Sequence, residues 1–388
     1  MSSLNQSPRR VVATGLGLVS ALGESPSALD EALRRGSHGL GPVTLFPLDG
    51  LPSRLVGEAR GFDPARFFGE RNYRPLDRTC RLAAASAQLA LADAGIEREN
   101  CREREVGLVL GTMFGGLKTI AEFDRRGLTA GPNYVKPLDF ANSVINAPAG
   151  QTAIWHGLPG INSTITGGPT AGLEALAYAA DLIRHGHAEA LLAGGAEELC
   201  YEGLLSFEQG GMLAPAADGA PRPFAPDRAG FTLGEGAALL LLEEADAALA
   251  RGARVYAEIL GHGQAFDPGR NSGSAEALIR AIHLALEQAG RPPSAVAAVA
   301  SGGSGSVCGD AAEAAALDAA LGPGAASLPR SAVKAALGEC LGASGALQTV
   351  QAFTQLTAAG PDGAVLISAV GFEGQGAALL LGSAGGVR

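Results

Sequence analysis

Apolar residues along this chain come in two spacings. Short continuous runs bounded by glycine predict buried strands. Longer stretches with apolar residues three and four apart predict helices. Residues 10–15 (RVVATG) read as a first buried strand ending in glycine turns, and residues 27–35 as a helix. Residues 78–94 alternate at helical spacing and stop at Gly95; residues 106–111 form another strand-like run. Residues 170–185 make a strongly apolar helix stopped at Gly186, and residues 188–195 a strand leading into a loop. The same grammar then returns. Residues 256–261, 296–301 and 364–370 read as strands, and 274–290 and 312–321 as helices, the former carrying Leu278, Ile279, Ile282, Leu284 and Leu286. Alternating strands and helices predict an α/β fold with a mainly parallel sheet covered on both faces. Its occurrence twice predicts two related halves, residues 9–248 and 249–388, joined near 244–252. No Ser/Gly linker separates them, so they are expected to pack as one unit.

Composition narrows this picture. The chain has 388 residues, 47% hydrophobic and 18% charged, enough for two sub-domains with a large core. Aromatics are only 5% against 56 glycines, which predicts helices and strands packed backbone to backbone. A net charge of −10 argues against nucleic acid and anionic membrane as main partners. The five cysteines (Cys80, Cys101, Cys200, Cys308, Cys340) are scattered and lack CxxC spacing. Neither a disulfide framework nor a metal site is expected, and a reducing cytoplasm fits best. The first ten residues are short and polar, so no signal peptide is read, and no apolar run suits a membrane span.

The candidate chemistry starts at residues 165–172 (ITGGPTAG), where a strand meets a helix. Such a junction commonly seats a buried nucleophile, because the helix N-terminus stabilises a thiolate. Here that position holds Pro169, which offers no side-chain proton, no lone pair and no backbone N–H. Proline does suit the first turn of a helix, where an N–H would go unpaired anyway.

Five ordered segments carry a resemblance. They are residues 11–20 (VVATGLGLVS), 222–237 (RPFAPDRAGFTLGEGA), 309–313 (GDAAE), 333–334 (VK) and 371–374 (GFEG). Together they resemble the β-ketoacyl synthase branch of the thiolase superfamily, over nearly the whole chain. The resemblance implies a thiolase fold, two pseudo-repeated halves in a five-layered αβαβα architecture. It also implies a catalytic cysteine that takes the acyl group and two histidines that assist malonyl decarboxylation. Carried over one at a time, the cysteine falls on Pro169, the first histidine on Gly302 and the second on Glu339. The six histidines are His38, His156, His185, His187, His262 and His283, so neither C-terminal loop can contain one. Asp310, Glu313 and Lys334 are retained and resemble the charged groups that hold the active-site loops.

A silent site in a kept scaffold is similar to the chain length factor of type II polyketide synthases. That resemblance implies a heterodimer with a cysteine-bearing ketosynthase, an acyl carrier protein as the second partner, and no cofactor on this chain. Known chain length factors carry glutamine at the nucleophile position; proline departs from that pattern and speaks against residual decarboxylation. Two rival readings stay open: an atypical malonyl decarboxylase or acyltransferase built on Glu339 with Thr170 or Cys340, near Cys308, and a non-catalytic acyl-binding homodimer.

The resemblance also implies tunnel and interface residues. After the turn at Phe114, the matching positions are Leu117, Ile120 and Asp124. Leu117 and Ile120 read equally as ordinary core. Asp124 is not the bulky residue expected there, and Phe123 is the alternative end stop. Leu138, Asp139, Phe140 and Asn142, ahead of residues 144–150, match a segment that crosses towards the partner, or form a plain surface loop. Phe372 matches a gating phenylalanine, with a packing role as the alternative. Arg66, Arg71, Arg74, Arg78 and Arg81 form a basic stretch, either a carrier-protein dock or an ion-paired helix face.

Overall fold

The computed structural model describes residues 8–52, 54–69, 73–215, 220–269, 275–360 and 363–383. The first half contains β1 (Val11–Ser20), α1 (Arg78–Asp93), β2 (Gly107–Gly111), α2 (Leu117–Ala130) and α3 (Ala147–His156). It continues with β3 (Asn162–Ile165), α4 (Ala171–Arg184), β4 (Ala190–Glu197) and β5 (Gly236–Glu244). The second half contains β6 (Ala257–Phe266), α5 (Ala275–Ala289), β7 (Val296–Ala300) and α6 (Val307–Leu321). It ends with β8 (Arg330–Ser331), α7 (Ser344–Ala359), β9 (Ala364–Val370) and β10 (Gln375–Ser383).

The strands run in the order β8-β7-β9-β10-β6-β1-β5-β4-β2-β3. Each set of five repeats one topology. In the first half β2 is parallel to β3 and β4, while β5 is antiparallel to β4 and β1. In the second, β7 is parallel to β8 and β9, while β10 is antiparallel to β9 and β6. The two sets of strands pair with each other through two rungs, Val12 opposite Glu258 and Ala13 opposite Ala257. The mainly parallel sheet expected from the alternation is therefore a mixed one. Consecutive strands β9 and β10 need no crossover helix, because a short turn at residues 371–374 reverses the chain between them. Among the described residues, no helix is long and apolar enough to cross a membrane.

Three apolar cores separate five layers. One joins α1 and α3 to strands of the first half, through Leu82, Ala83 and Ala153 against Leu108 and Leu239. Its counterpart joins α5 and α6 to the second half, through Leu278, Ile282 and Leu317 against Leu366 and Leu380. Between the sheets lie α4 and α7, whose Leu173, Leu176, Leu347 and Val350 meet Val109 and Leu191 on one side and Ile367 and Leu379 on the other. This is the thiolase fold that the resemblance implied.

Glycine permits the close layers. A Cβ on Gly17 would come 2.1 Å from Ser86 O, so α1 lies directly on the β1 backbone. The central helices touch in the same way: a Cβ on Gly172 would fall 2.6 Å from Gly342 O. That contact brings the start of α4 against the loop entering α7, and the candidate site lies there. Predicted boundaries shift: the strands placed at 10–15 and 256–261 run on to Ser20 and Phe266. The helix placed at 312–321 begins at Val307, because Ser306 caps it by accepting the Gly309 N–H at 3.2 Å. Strands β3, β5, β8 and β10 and helices α3 and α7 were not foreseen.

Candidate functional site

Pro169 lies buried in a 3-10 turn, Gly168–Thr170, that feeds directly into α4. Gly168 has φ +65°, a conformation that favours glycine. The Thr170 hydroxyl lies 2.7 Å from Gly167 O and 2.6 Å from Glu174 Oε1. Burial pushes the Glu174 carboxyl above its ordinary range, against the pull of that hydroxyl. The helix N-terminus is thus closed by proline and threonine and presents no nucleophile.

Gly302 donates its N–H to Glu313 Oε1 at 2.8 Å. A Cβ built at Gly302 would stand 2.8 Å from Ser368 O and 3.2 Å from Ala369 Cα. An imidazole could enter only if the backbone of β9 moved. Glu339 accepts from three donors: Lys334 Nζ at 2.7 Å, the Leu341 N–H at 3.0 Å and the Ser344 hydroxyl at 2.6 Å. Lys334 and Glu339 are both almost wholly buried. Three of the roughly four lone-pair sites of this carboxylate are thus taken by the protein itself.

The substitute groups fare no better. Burial, with the charge of Glu339 beside it, drives the Cys340 thiol well above its ordinary range, so it stays protonated. Cys308 is exposed, in the first turn of α6. The retained charges have structural work. Asp310 accepts N–H groups from Ser304 at 2.9 Å, Gly305 at 3.1 Å and Phe224 at 2.7 Å, tying the 302–306 loop to a residue with φ +61°. Lys334 forms its ion pair with Glu339.

Phe372 packs rather than standing free. Its ring stacks on Phe231 at 5.6 Å and meets Phe207 edge-on at 5.6 Å; Phe114 joins the group at 6.3 Å from Phe207. Two tunnel candidates, Phe114 and Phe372, therefore belong to one aromatic cluster beside the site.

The other candidates share an outer face. No side chain of α2 is buried. Leu117, Ile120 and Phe123 are half-buried and Asp124 is exposed, so Leu117 and Ile120 lie at the margin of the core. Leu138 and Phe140 are exposed, and the Phe140 ring lies 6.1 Å from Phe123. Asn142 alone is buried there, donating to Pro75 O. Asp139 faces Arg126 at 3.5 Å. Leu128 (87% exposed), Tyr134, Val144 and Ile145, on α2 and the segment after it, are exposed as well. So much exposed apolar area is the mark of an interaction face.

The basic stretch is largely paired. Arg78 grips Glu235 with two hydrogen bonds of 2.6 and 2.5 Å, Arg66 meets Glu24 at 3.1 Å, and Arg81 lies over the Tyr73 ring at 5.4 Å. Arg71 lies outside the described residues. These contacts favour the ion-paired face over the carrier dock.

Two groups escaped the sequence reading. Glu197, at the end of β4, accepts the N–H groups of Met113 at 2.6 Å, Phe114 at 2.9 Å and Gly342 at 3.1 Å, and so binds the two halves together beneath the site. Burial pushes its carboxyl up to about 7 despite those donors. Next to it, Glu198 accepts the Lys118 N–H at 3.0 Å. Nothing in a run of Gly-Gly-Ala-Glu-Glu marks either as buried; a strand tail of that composition reads as solvated.

Comparison with known proteins places these features. The model of the β-ketoacyl synthase N-terminal domain matches residues 8–248, and that of the C-terminal domain residues 256–359. A 3-oxoacyl-[acyl-carrier-protein] synthase 2 of Coxiella burnetii is 35% identical, over 88% of this chain and 84% of its own length. The tetracenomycin polyketide synthase ketoacyl synthase beta subunit of Streptomyces glaucescens is also 35% identical, over 90% of this chain and 86% of its own. A chain of the ishigamide ketosynthase/chain length factor superposes with a TM-score of 0.90 at 29% identity, covering 97% of this chain and all of that one.

Proposed function

The chain belongs to the β-ketoacyl synthase family, and from that premise we propose that it is a chain length factor, the silent subunit of a ketosynthase heterodimer. The observation that carries this reading is the joint state of three positions. Pro169 supplies no nucleophile, Gly302 has no room for an imidazole, and Glu339 is held by Lys334, Ser344 and the Leu341 N–H. Family condensation needs a thiolate at the helix N-terminus and donors that stabilise the enolate left by decarboxylation. This chain keeps the frame for that chemistry and fills each active position with an inert group.

The rest follows from the frame. The partner brings the cysteine, and acyl and malonyl groups arrive on the phosphopantetheine arm of an acyl carrier protein, so the chemistry asks no cofactor of this chain. The partly covered face of α2 and residues 137–146 is the surface offered to the partner, with Leu117, Ile120 and Phe123 facing the growing polyketide or polyene chain. The ring contact of Phe123 with Phe140 favours Phe123 over Asp124 as the end stop. Similarity to a ketosynthase/chain length factor and to a polyketide synthase ketoacyl synthase beta subunit supports a place in a ketosynthase pair.

Co-expression with a cysteine-bearing ketosynthase tests the proposal. The expected result is a one-to-one complex that extends malonyl units, with altered or absent products when the ketosynthase acts alone. Separate purification of the two chains with unchanged ketosynthase products would overturn it. Turnover of malonyl carrier protein by the lone chain, lost in Glu339→Ala, would favour an independent decarboxylase.

A further inference from the structure

The first turn of α2 rests on a crowded set of acids. Glu198 accepts the Lys118 N–H at 3.0 Å, the bond that ties the helix to the end of β4. Asp77 caps α1 through the Cys80 N–H at 2.7 Å, while its Oδ2 lies so close to Gly116 that a Cβ there would be 2.3 Å away. Glu197 adjoins Glu198 in sequence, and Glu235 reaches the same strand end by accepting the Leu199 N–H at 3.2 Å. Of the cations packed around them, Arg78 is committed to Glu235 by two hydrogen bonds. Arg74, Arg81 and Lys118 line a cavity of about 300 Å³ together with Asp77, Glu122 and Glu198; Asp139 lines it too. Cys80 and Cys200 also face the cluster, and burial raises both thiols, so they add no charge. Glu58 adds a further acid near Arg78. Asp77, Glu197, Glu198 and Glu235 thus gather about one strand end, with Arg78 committed to Glu235 and Arg81 acting on Asp77.

We propose that Glu198 is a proton-sensitive latch on α2. As a neutral carboxyl it accepts the Lys118 N–H and the helix stays seated; as a carboxylate it is repelled by Asp77, Glu197 and Glu235, and the first turn loosens. Other packing on α2 is partial, since Leu117, Ile120 and Phe123 are half-buried and no side chain of the helix is fully buried. Burial first, then Asp77, with Glu197 and Glu235 adding to it, lift this carboxyl to about 8 against the pull of the Lys118 N–H. A group raised in the seated state favours seating fully below the ordinary glutamate range. That advantage is lost as pH rises towards 8 and changes no further above it. The latch rests on the proposed function only in calling α2 the partner-facing helix.

Amide hydrogen exchange on the chain alone, from pH 6 to 9.5 and corrected for intrinsic exchange rates, tests the latch without any partner. Protection at residues 118–122 is expected to fall by up to about tenfold per pH unit below 8 and to level off above it. Glu198→Gln keeps an acceptor for Lys118 but cannot ionise, so its slope is expected to be clearly smaller, the remainder belonging to Glu197. A flat profile in the unaltered chain, or an equal slope in Glu198→Gln, would overturn the proposal. The unaltered chain decides the matter even if the variant folds poorly. Failure to bind a ketosynthase would count against the proposed function and leave this result standing.

Discussion

Lys334 and Glu339 face each other at 2.7 Å with almost no contact with water. Removing one member strands the other as a buried charge. Lys334→Ala is therefore expected to cost roughly 3–5 kcal/mol of unfolding free energy, read from urea denaturation midpoints. Replacing both residues with apolar groups of similar volume is expected to cost far less, because no charge is left unpaired. At this scale the inert site was largely legible. Proline at 169 and the lack of histidine beyond 283 are facts of order along the chain. What Glu339 does instead was not legible. Its partners at Lys334 and Ser344 meet it only because the loop turns back sharply at Gly338, with φ +79°, and at Leu341, with φ +47°.

Among the elements, α2 shows where periodicity stops being informative. Its apolar stripe fits a core helix, a tunnel wall and an interface equally well, since spacing reports which residues share a face and not what covers it. In the structure it is only partly covered: Leu117, Ile120 and Phe123 are half-buried and Leu128 is exposed. Leu128→Asp should leave the chain's own stability within about 0.5 kcal/mol, as surface substitutions usually do. The same change is expected to weaken association with the ketosynthase at least tenfold, measured by analytical ultracentrifugation. A large loss of stability would mean that the residue is buried within the lone chain. The edge strand β3 went unread for a related reason. Its residues, Asn162, Ser163, Thr164 and Ile165, are mostly polar and lie half-exposed or exposed, and only pairing with β2 makes them a strand.

Across the whole molecule, the buried acids set a common pH response. Glu197 and Glu198 are raised by burial to about 7 and about 8, and Glu174 and Glu313 are raised for the same reason. Acids raised in the folded state stabilise it fully below their unfolded range near 4.5, and that contribution drains away as pH rises. Stability should therefore fall between pH 5.5 and 8, by up to about 1.4 kcal/mol per pH unit for each group titrating alone in that window. Urea midpoints at a series of pH values check this; a midpoint that rises over the range would contradict it.

Some of this protein was determined by its sequence alone. Hydrophobic spacing and glycine placement set most strands and helices and their repetition, because burial on one or both faces leaves a local mark. The missing nucleophile and imidazoles were equally settled, since an absent side chain cannot be restored by folding. Only the tertiary structure decided the rest: the mixed strand order, the central helices meeting at Gly172 and Gly342, the pairing of Glu339 with Lys334 and the acids gathered beneath α2. Each of these depends on residues far apart in the chain coming within a few ångströms, and no local pattern records what will lie on the other side of a contact.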